Sequence, residues 1–213
     1  MEKVTTRLVL MGFLMLPPTV AATPGRPSRA GADMSHDACS APSASIYLTH
    51  TIRVRAFEEN RAIYVATRAF QSIGVRLKWR GGTPTLEALG SGCDQIIELR
   101  IDPRAPESYS PEAMAYATPR ATSGTRIHIF YDRVSKQSPN VPNFYGYVLA
   151  HEIAHVLQGK ARHSGEGIMK PHWAGSDYNL MGIYGLMFTD EDAALILDHA
   201  KANRGVLSSQ ADF

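Results

Sequence analysis

Two histidines and a glutamate stand in the pattern H-E-x-x-H at residues 151–155. Side chains four residues apart share one face of a helix, so the imidazoles of His151 and His155 can reach the same metal ion. The carboxylate of Glu152 would lie on the adjacent flank, within reach of a water on that metal. Two nitrogen ligands and a general base on one rigid element are typical of zinc hydrolases. The pattern therefore predicts a zinc ligand pair with Glu152 as the catalytic base.

A catalytic zinc ion takes a third protein ligand and keeps a further position for water. We favour His163 for this role, because Gly159 lets the backbone reverse and bring a loop histidine back to the metal. Taken alone, His163 would be interpreted as an exposed loop residue, and the preceding helix motif changes that interpretation. The sequence leaves open four other candidates, which are His172, Glu166, Asp177 and Glu191.

The H-E-x-x-H pattern has this meaning only on a helix, and the flanking sequence predicts one over residues 142–158. Asn140 or Asn143 can cap its start, and Pro142 suits its first turn. A broad apolar face follows, formed by Phe144, Tyr147, Val148, Ala150, Ile153, Ala154 and Leu157. Gly159 is a typical residue to end such a helix.

The remaining elements predict an α+β fold with a sheet that is at least partly parallel. Alternating, β-branched segments predict four strands, over residues 45–54, 75–79, 95–101 and 125–131. A first helix is predicted over 58–73, between the first two strands. Residues 103–124, rich in proline, are predicted to form a long irregular loop beside a cleft.

The C-terminal part of the chain predicts one further helix. Thr189 can cap it, Asp192 stands three residues on as in a capping box, and Gly205 is predicted to end it. The segments 132–140 and 165–186 carry no regular pattern and are predicted to be irregular.

The composition describes a single folded domain. The chain has 213 residues, of which 44% are hydrophobic, enough for one core and short of two. The formal net charge is +2, which excludes the strongly basic surface expected of a protein that binds nucleic acid or anionic lipid. We predict the folded domain over residues 45–205, followed by a tail over 206–213.

The N-terminal residues 1–22 predict a secretory signal peptide. A basic start precedes an apolar run at 8–16 and a small-residue cleavage site at 20–22. A membrane anchor is the alternative, but so short an apolar run cannot span about 30 Å of hydrocarbon. Residues 23–44 predict a flexible leader, so the mature protein is expected to be secreted or periplasmic, with no membrane span.

The two cysteines, Cys39 and Cys93, are the only ones in the chain. In an oxidising compartment we expect them to pair and tie the N-terminal segment to the sheet. Two buried free thiols are the alternative.

The site resembles that of the metzincin zinc proteases, and among them the matrix-metalloprotease type, with its H-E-x-x-H-x-x-G-x-x-H pattern and its methionine turn. The matching residues, in order, are His151, Glu152, His155, Gly159, His163, Ser164 and Met169. The spacing departs from the family pattern, since the glycine lies four residues after His155 and the histidine eight after. The Gly-Ile-Met, Trp and Phe-Thr segments are also similar to those of small exported bacterial metalloproteases.

This resemblance implies a zincin-like fold, a twisted mixed sheet of about four to five strands with a first helix, an active-site helix and a C-terminal helix. It implies Zn²⁺ as the cofactor and Met169 as the methionine-turn residue. Met181 is the alternative, and ordinary core packing is a second interpretation of Met169.

The function predicted from the sequence is a secreted zinc endopeptidase that hydrolyses peptide or protein substrates. The strand over residues 125–131, expected at the edge of the sheet, would bind extended substrate by strand addition. A non-catalytic zinc-binding or interaction protein on a zincin scaffold is the alternative. A third possibility is a chance H-E-x-x-H in a core helix.

Overall fold

The structure is a computed structural model that describes residues 41–85, 88, 94–110, 112–120, 124–138 and 140–210. Its five strands are β1 (Ser43–His50), β2 (Arg76–Gly81), β3 (Gln95–Asp102), β4 (Ala115–Arg120) and β5 (Gly124–Phe130). Its helices in these ranges are α1 (Ala56–Gln71), α2 (Tyr131–Gln137), α3 (Val141–Gln158), α4 (Gly175–Ile183) and α5 (Asp190–Gln210).

The strands form one mixed sheet in the order β2-β1-β3-β5-β4. β1 pairs in parallel with β2 and β3, and β3 pairs in parallel with β5. Only the β4–β5 pairing is antiparallel among the pairings that the described residues make. The predicted α+β fold, with a mixed sheet of about four to five strands, a first helix, an active-site helix and a C-terminal helix, is therefore confirmed with five strands.

The core lies between one face of the sheet and the helices. The sheet contributes alternating apolar side chains such as Ile46, Leu99 and Ile127, which have no measurable exposure. α1 packs along α3, and α3 also contacts β3, β4 and β5. The helix with the H-E-x-x-H pattern is thus enclosed on several sides, and every residue from 143 to 158 is buried.

The prediction of an irregular loop over residues 103–124 was wrong for its second half. β4 occupies this segment and runs antiparallel to β5, from Ala115 opposite Ile129 to Arg120 opposite Gly124. Its small residues and Pro119 give little local strand propensity, and proline is tolerated on an edge strand because it lacks the N–H of a ladder bond. β5, predicted at the edge, is therefore paired on both sides, and β4 is the edge strand at this end of the sheet.

Two short helices also lie in segments predicted to be irregular. α2 begins directly after β5 and has seven residues, too few to show a helical period. α4 has nine residues, of which Asp177 and Met181 are buried. α5 passes through Gly205 and continues to Gln210, so the predicted end was wrong. Glycine in a helix costs about 1 kcal/mol relative to alanine but does not by itself end the helix.

The bounds of α3 agree with the prediction, and its cap differs. The helix ends at Gly159, which adopts the left-handed conformation with φ of 61°. Asn140 occupies the N-cap position but its side chain makes no capping hydrogen bond. The Asn143 side chain instead accepts a hydrogen bond from Arg61 Nε at 2.7 Å and donates one to the Met181 carbonyl at 2.9 Å. Asn143 therefore joins α1 and α4 to α3.

Several sequence predictions fall outside the described residues. These are the signal peptide over 1–22, Cys39, Cys93, most of the leader and the last three residues of the tail. β1 begins at Ser43, so residues 43 and 44 belong to the sheet and not to the leader. Within the described ranges, no helix combines the length and apolar character needed to cross a bilayer.

Candidate metal centre

The first two histidines face each other from successive turns of α3. The Nε2 atoms of His151 and His155 are 2.9 Å apart, and the ring centroids are 4.6 Å apart. His151 has no exposed surface and His155 is 5% exposed. Helical spacing alone places the two rings on one face, and their contacts include His163, Ile168 and Trp173, which come from the segment that follows α3.

Two backbone carbonyls fix the orientation of these rings. Nδ1 of His151 lies 2.8 Å from the Ile168 oxygen, and Nδ1 of His155 lies 3.3 Å from the Lys160 oxygen. A carbonyl oxygen only accepts hydrogen bonds, so each Nδ1 is the donor and each Nε2 presents a lone pair. The two lone pairs then point at each other, which is favourable with a cation between them. This is the outer arrangement typical of histidine metal ligands.

The environment keeps both imidazoles neutral. Burial, with the neighbouring His155 ring, lowers the pKa of His151 well below its ordinary value. Burial, with the His163 ring, lowers the pKa of His155 to about 4. A neutral imidazole is the form that binds a metal ion, since protonation removes the lone pair.

The chain brings His163 back to the same place. Its ring centroid lies 5.2 Å from that of His151 and 4.9 Å from that of His155. The three histidines each offer a ligand atom, and these atoms all lie within 4.8 Å of one another. Nε2 of His163 is buried and has no hydrogen-bond partner among the described residues. The three ring nitrogens lie close together, and that of His163 has no other partner among the described residues, so these residues suit a bound metal ion.

The alternative third ligands are not in this group of three. Asp177 accepts a hydrogen bond from Lys170 Nζ at 2.7 Å and one from the Ala174 backbone at 2.6 Å. Glu191 is exposed and pairs with Arg162, and Glu166 is exposed on the loop. His163 is therefore the candidate that the tertiary structure brings to the pair.

A tight turn beside the histidines contains Met169. Gly167 has φ of 71°, and the Ser164 backbone N–H donates to the Met169 carbonyl at 2.9 Å. Ile168 and Met169 are fully buried. The turn thus supplies the carbonyl that orients His151. Met181, the alternative turn residue, lies in α4 and contacts Asn143 instead.

Trp173 contacts the site, although no role there was predicted for it from the sequence. Its ring stands edge-on to that of His151 at 5.6 Å, and its Nε1 donates to the Gly167 carbonyl at 3.2 Å. The carbonyls of Lys160 and Ile168 were missed as well, because every residue has a carbonyl and the sequence does not show which one meets a ring.

Glu152 is the most unusual polar group of the site. The residue has no exposed surface, and neither carboxylate oxygen has a hydrogen-bond partner among the described residues. Burial raises its pKa to about 8. A buried carboxylate without partners is costly, and such groups cluster where proteins bind ligands or transfer protons. The site therefore combines two neutral, buried imidazoles and the half-buried ring of His163 with a neighbouring helix residue, Glu152, whose carboxyl pKa is raised.

Comparisons with known proteins give similarities in structure only. No protein-family model matches the chain, and no curated protein matches it. Its fold is similar to that of metalloproteinase-II from Bacteroides fragilis, with a TM-score of 0.48 and 12% sequence identity over 77% of this chain. The chain spans 55% of the length of that protein.

Proposed function

We propose that this protein is a secreted or periplasmic zinc-dependent endopeptidase of the metzincin type. The observation that carries this proposal is the convergence of three imidazoles, two of them buried and that of His163 half-buried, on a helix whose Glu152 has a buried carboxylate without partners among the described residues. A buried carboxylate without hydrogen-bond partners is costly, and a metal centre that only binds the ion does not require one. Three histidines with a position left for water are the ligand set of catalytic zinc.

The metal ligands in this proposal are His151, His155 and His163. Imidazole also suits copper, iron and nickel, so zinc is proposed on the ligand set together with the H-E-x-x-H motif. When bound, zinc supplies a Lewis acid that activates water and polarises a carbonyl oxygen. The hydrogen bonds from Nδ1 to Ile168 and Lys160 hold two of the rings in the required tautomer.

Glu152 is proposed as the general base. It accepts a proton from the attacking water and then delivers that proton to the departing amine of the cleaved peptide. A catalytic base works best when its pKa is near the working pH, and burial moves the pKa of Glu152 in that direction. The rigid helix holds this carboxylate next to His151 and excludes it from bulk water.

The substrate in this proposal is an extended peptide bound along β4. This strand is one of the two edge strands of the sheet, the other being β2, and it lies beside β5 and contacts α3. An edge strand offers unpaired N–H and C=O groups with which a peptide can pair. Pro119 has no N–H, so at this residue β4 can only accept a hydrogen bond. The strand-addition role that the sequence suggested for residues 125–131 therefore passes to β4.

Met169 is proposed as the methionine-turn residue, since its turn lies next to the carbonyl that orients His151. Export of the protein and pairing of Cys39 with Cys93 are proposed on the sequence alone, from the signal-like start and the oxidising compartment that it implies.

The test is hydrolysis by the purified mature protein, loaded with zinc and assayed on casein and on a peptide library. We expect about one zinc per chain, cleavage that a chelator stops, and recovery when zinc is restored. The Glu152→Gln variant serves as the control, with the same zinc content and no cleavage. Tight zinc binding without cleavage would favour the non-catalytic zinc protein instead, and no metal binding would refute both.

A further inference from the structure

Asp192 lies in the first turn of α5 and is fully buried, although it carries a charge. Its carboxylate meets the residues on both sides of the third histidine. Arg162 Nη1 donates to Oδ1 at 2.7 Å. Ser164 Oγ lies 3.0 Å from Oδ2 and 2.9 Å from the Glu166 carbonyl, so its one hydrogen is shared between these two acceptors. The two neighbours of His163 are therefore held by one acid from a different element, 30 and 28 residues further along the chain.

Helix capping accounts for only part of these contacts. Thr189 and Asp192 form the reciprocal capping box that the sequence predicts, with Asp192 N–H donating to Thr189 Oγ1 at 3.1 Å. The Thr189 N–H and Oγ1 both donate to Oδ2, at 3.2 and 2.7 Å. A cap of this kind works at an exposed helix end. It needs neither full burial of the acid nor the hydrogen bond from Arg162 to Oδ1.

The segment that carries His163 has no helix or strand to support it. Between Gly159 and Ser164 the chain is irregular, and Ala161 is exposed. The Lys160 carbonyl fixes the start of this segment against His155. At its end, the Ser164 backbone bonds to Met169, while the side chains of Arg162 and Ser164 bond to Asp192. The position of the third imidazole therefore depends on α5.

We propose that Asp192 is a positioning residue for His163, so that the C-terminal helix sets the affinity of the metal centre. The inference rests on the proposed function, since it takes His163 as a metal ligand. Burying a charged side chain costs free energy of desolvation, even when all its hydrogen bonds are made. A role in ordering the loop that carries a metal ligand gives a reason for this cost at Asp192. Loss of such an outer partner typically weakens metal binding by about 10–100-fold.

The experiment measures zinc affinity by competition with a chromophoric chelator, together with the visible absorption of the cobalt-substituted protein. Asp192→Asn keeps the size of the side chain and removes its charge. We expect zinc to bind about 10–100-fold more weakly and the cobalt bands to lose intensity or shift, as they do when a nitrogen ligand is lost.

Two control variants separate this role from simpler ones. Glu191→Gln removes the neighbouring carboxylate, which is exposed and pairs with the same arginine. Thr189→Ala removes the cap and leaves the bonds to Arg162 and Ser164. Both should bind zinc within about threefold of wild type. The melting temperature of each metal-free variant is recorded, so that a loss of general stability is visible.

The inference is overturned if Asp192→Asn binds zinc as tightly as wild type with unchanged cobalt bands. It is also overturned if Thr189→Ala loses as much affinity as Asp192→Asn. Should Asp192→Asn not fold, the pair Arg162→Ala and Ser164→Ala breaks the same contacts from the other side and decides the question. A wild-type protein that binds no zinc would refute the proposed function itself, which distinguishes the two failures.

Discussion

The Nε2 atoms of His151 and His155 lie 2.9 Å apart, while the Nδ1 atom of each ring faces a backbone carbonyl. Carbonyls accept and cannot donate, so the two Nε2 lone pairs must face each other. That arrangement is unfavourable in an ordinary core and favourable around a cation. The geometry of two rings therefore carries more functional information than the presence of two histidines.

Replacement of His163 by alanine should remove tight metal binding. The metal affinity should fall by more than about 100-fold. Removing a residue that only hydrogen-bonds to a metal ligand already lowers the affinity by about 10–100-fold, and His163 is proposed as a ligand itself. His172→Ala is the matched control, since His172 lies outside the group of three ligand atoms. Metal content after dialysis against a weak chelator measures both, and equal content in the two variants would contradict the ligand assignment.

Replacement of Glu152 by glutamine should separate activity from folding. We expect peptide hydrolysis to fall by about 10²–10⁴-fold, the usual contribution of a general acid–base group. Zinc content should stay the same. The melting temperature should not fall, because a buried carboxylate without hydrogen-bond partners does not stabilise the fold. A melting temperature several degrees lower than that of wild type would show instead that Glu152 has a structural role.

Replacement of Gly146 by alanine should destabilise the protein, although alanine is the better helix former. A Cβ at this position would lie 2.5 Å from Cβ of Val65 and 2.9 Å from the Ala62 carbonyl, on the neighbouring helix α1. Overpacking costs about 1–3 kcal/mol and exceeds the gain of about 1 kcal/mol in helix propensity. Urea unfolding of the metal-free protein measures the difference.

Gly182→Ala is the control for this prediction. Gly182 lies in α4, and a Cβ there would meet only Asn140 Nδ2 at 3.9 Å. Its substitution should be neutral or stabilising by up to about 1 kcal/mol. If both variants are more stable than wild type, α1 and α3 do not approach as closely at Gly146 as the structure has them.

Replacement of Gly167 by alanine should disturb the turn that orients His151. Its φ of 71° suits glycine, and a Cβ would collide with the Met187 carbonyl. We expect a loss of about 1–3 kcal/mol in the free energy of unfolding, together with weaker zinc binding. Gly165→Ala, on the same loop, has open space around its Cβ and should change stability by less than about 0.5 kcal/mol. Equal effects would rule out the turn as a support of the metal centre.

Replacement of Asp102 by asparagine should destabilise the protein at neutral pH and much less in acid. Burial alone would raise the pKa of Asp102, but hydrogen bonds from His128 and Arg100 outweigh it and lower that pKa. The ionised carboxylate therefore stabilises the fold above its unfolded pKa of about 4, and this stability is lost as the pH falls through the lower folded value.

At pH 7 we expect Asp102→Asn to lose about 1–2 kcal/mol, a modest value because Arg100 is partly exposed to solvent. Denaturant unfolding between pH 3 and pH 7 measures the difference in the free energy of unfolding between this variant and wild type. Asp198→Asn is the control, since that carboxylate is exposed on α5, and it should leave the profile unchanged. A difference that stays constant with pH would contradict the role of the charge.

The helix α3 shows which features of the site can be predicted from local sequence patterns. Its bounds, its end at Gly159 and the shared face of His151 and His155 all follow from spacing along a few turns, so they were predictable. The parallel part of the sheet was predictable for the same reason, because a strand-helix-strand order requires a crossover. Glycine after the helix even suggested the return of His163.

Tertiary structure alone decided which distant groups meet the site. β4 is a strand because β5 offers its edge, and α4 is a helix although few of its residues are buried. The carbonyls of Lys160 and Ile168 and the carboxylate of Asp192 reach the histidines through packing between separate elements. A sequence specifies ligand types within one helix, but their partners are fixed by contacts whose energies depend on the whole fold.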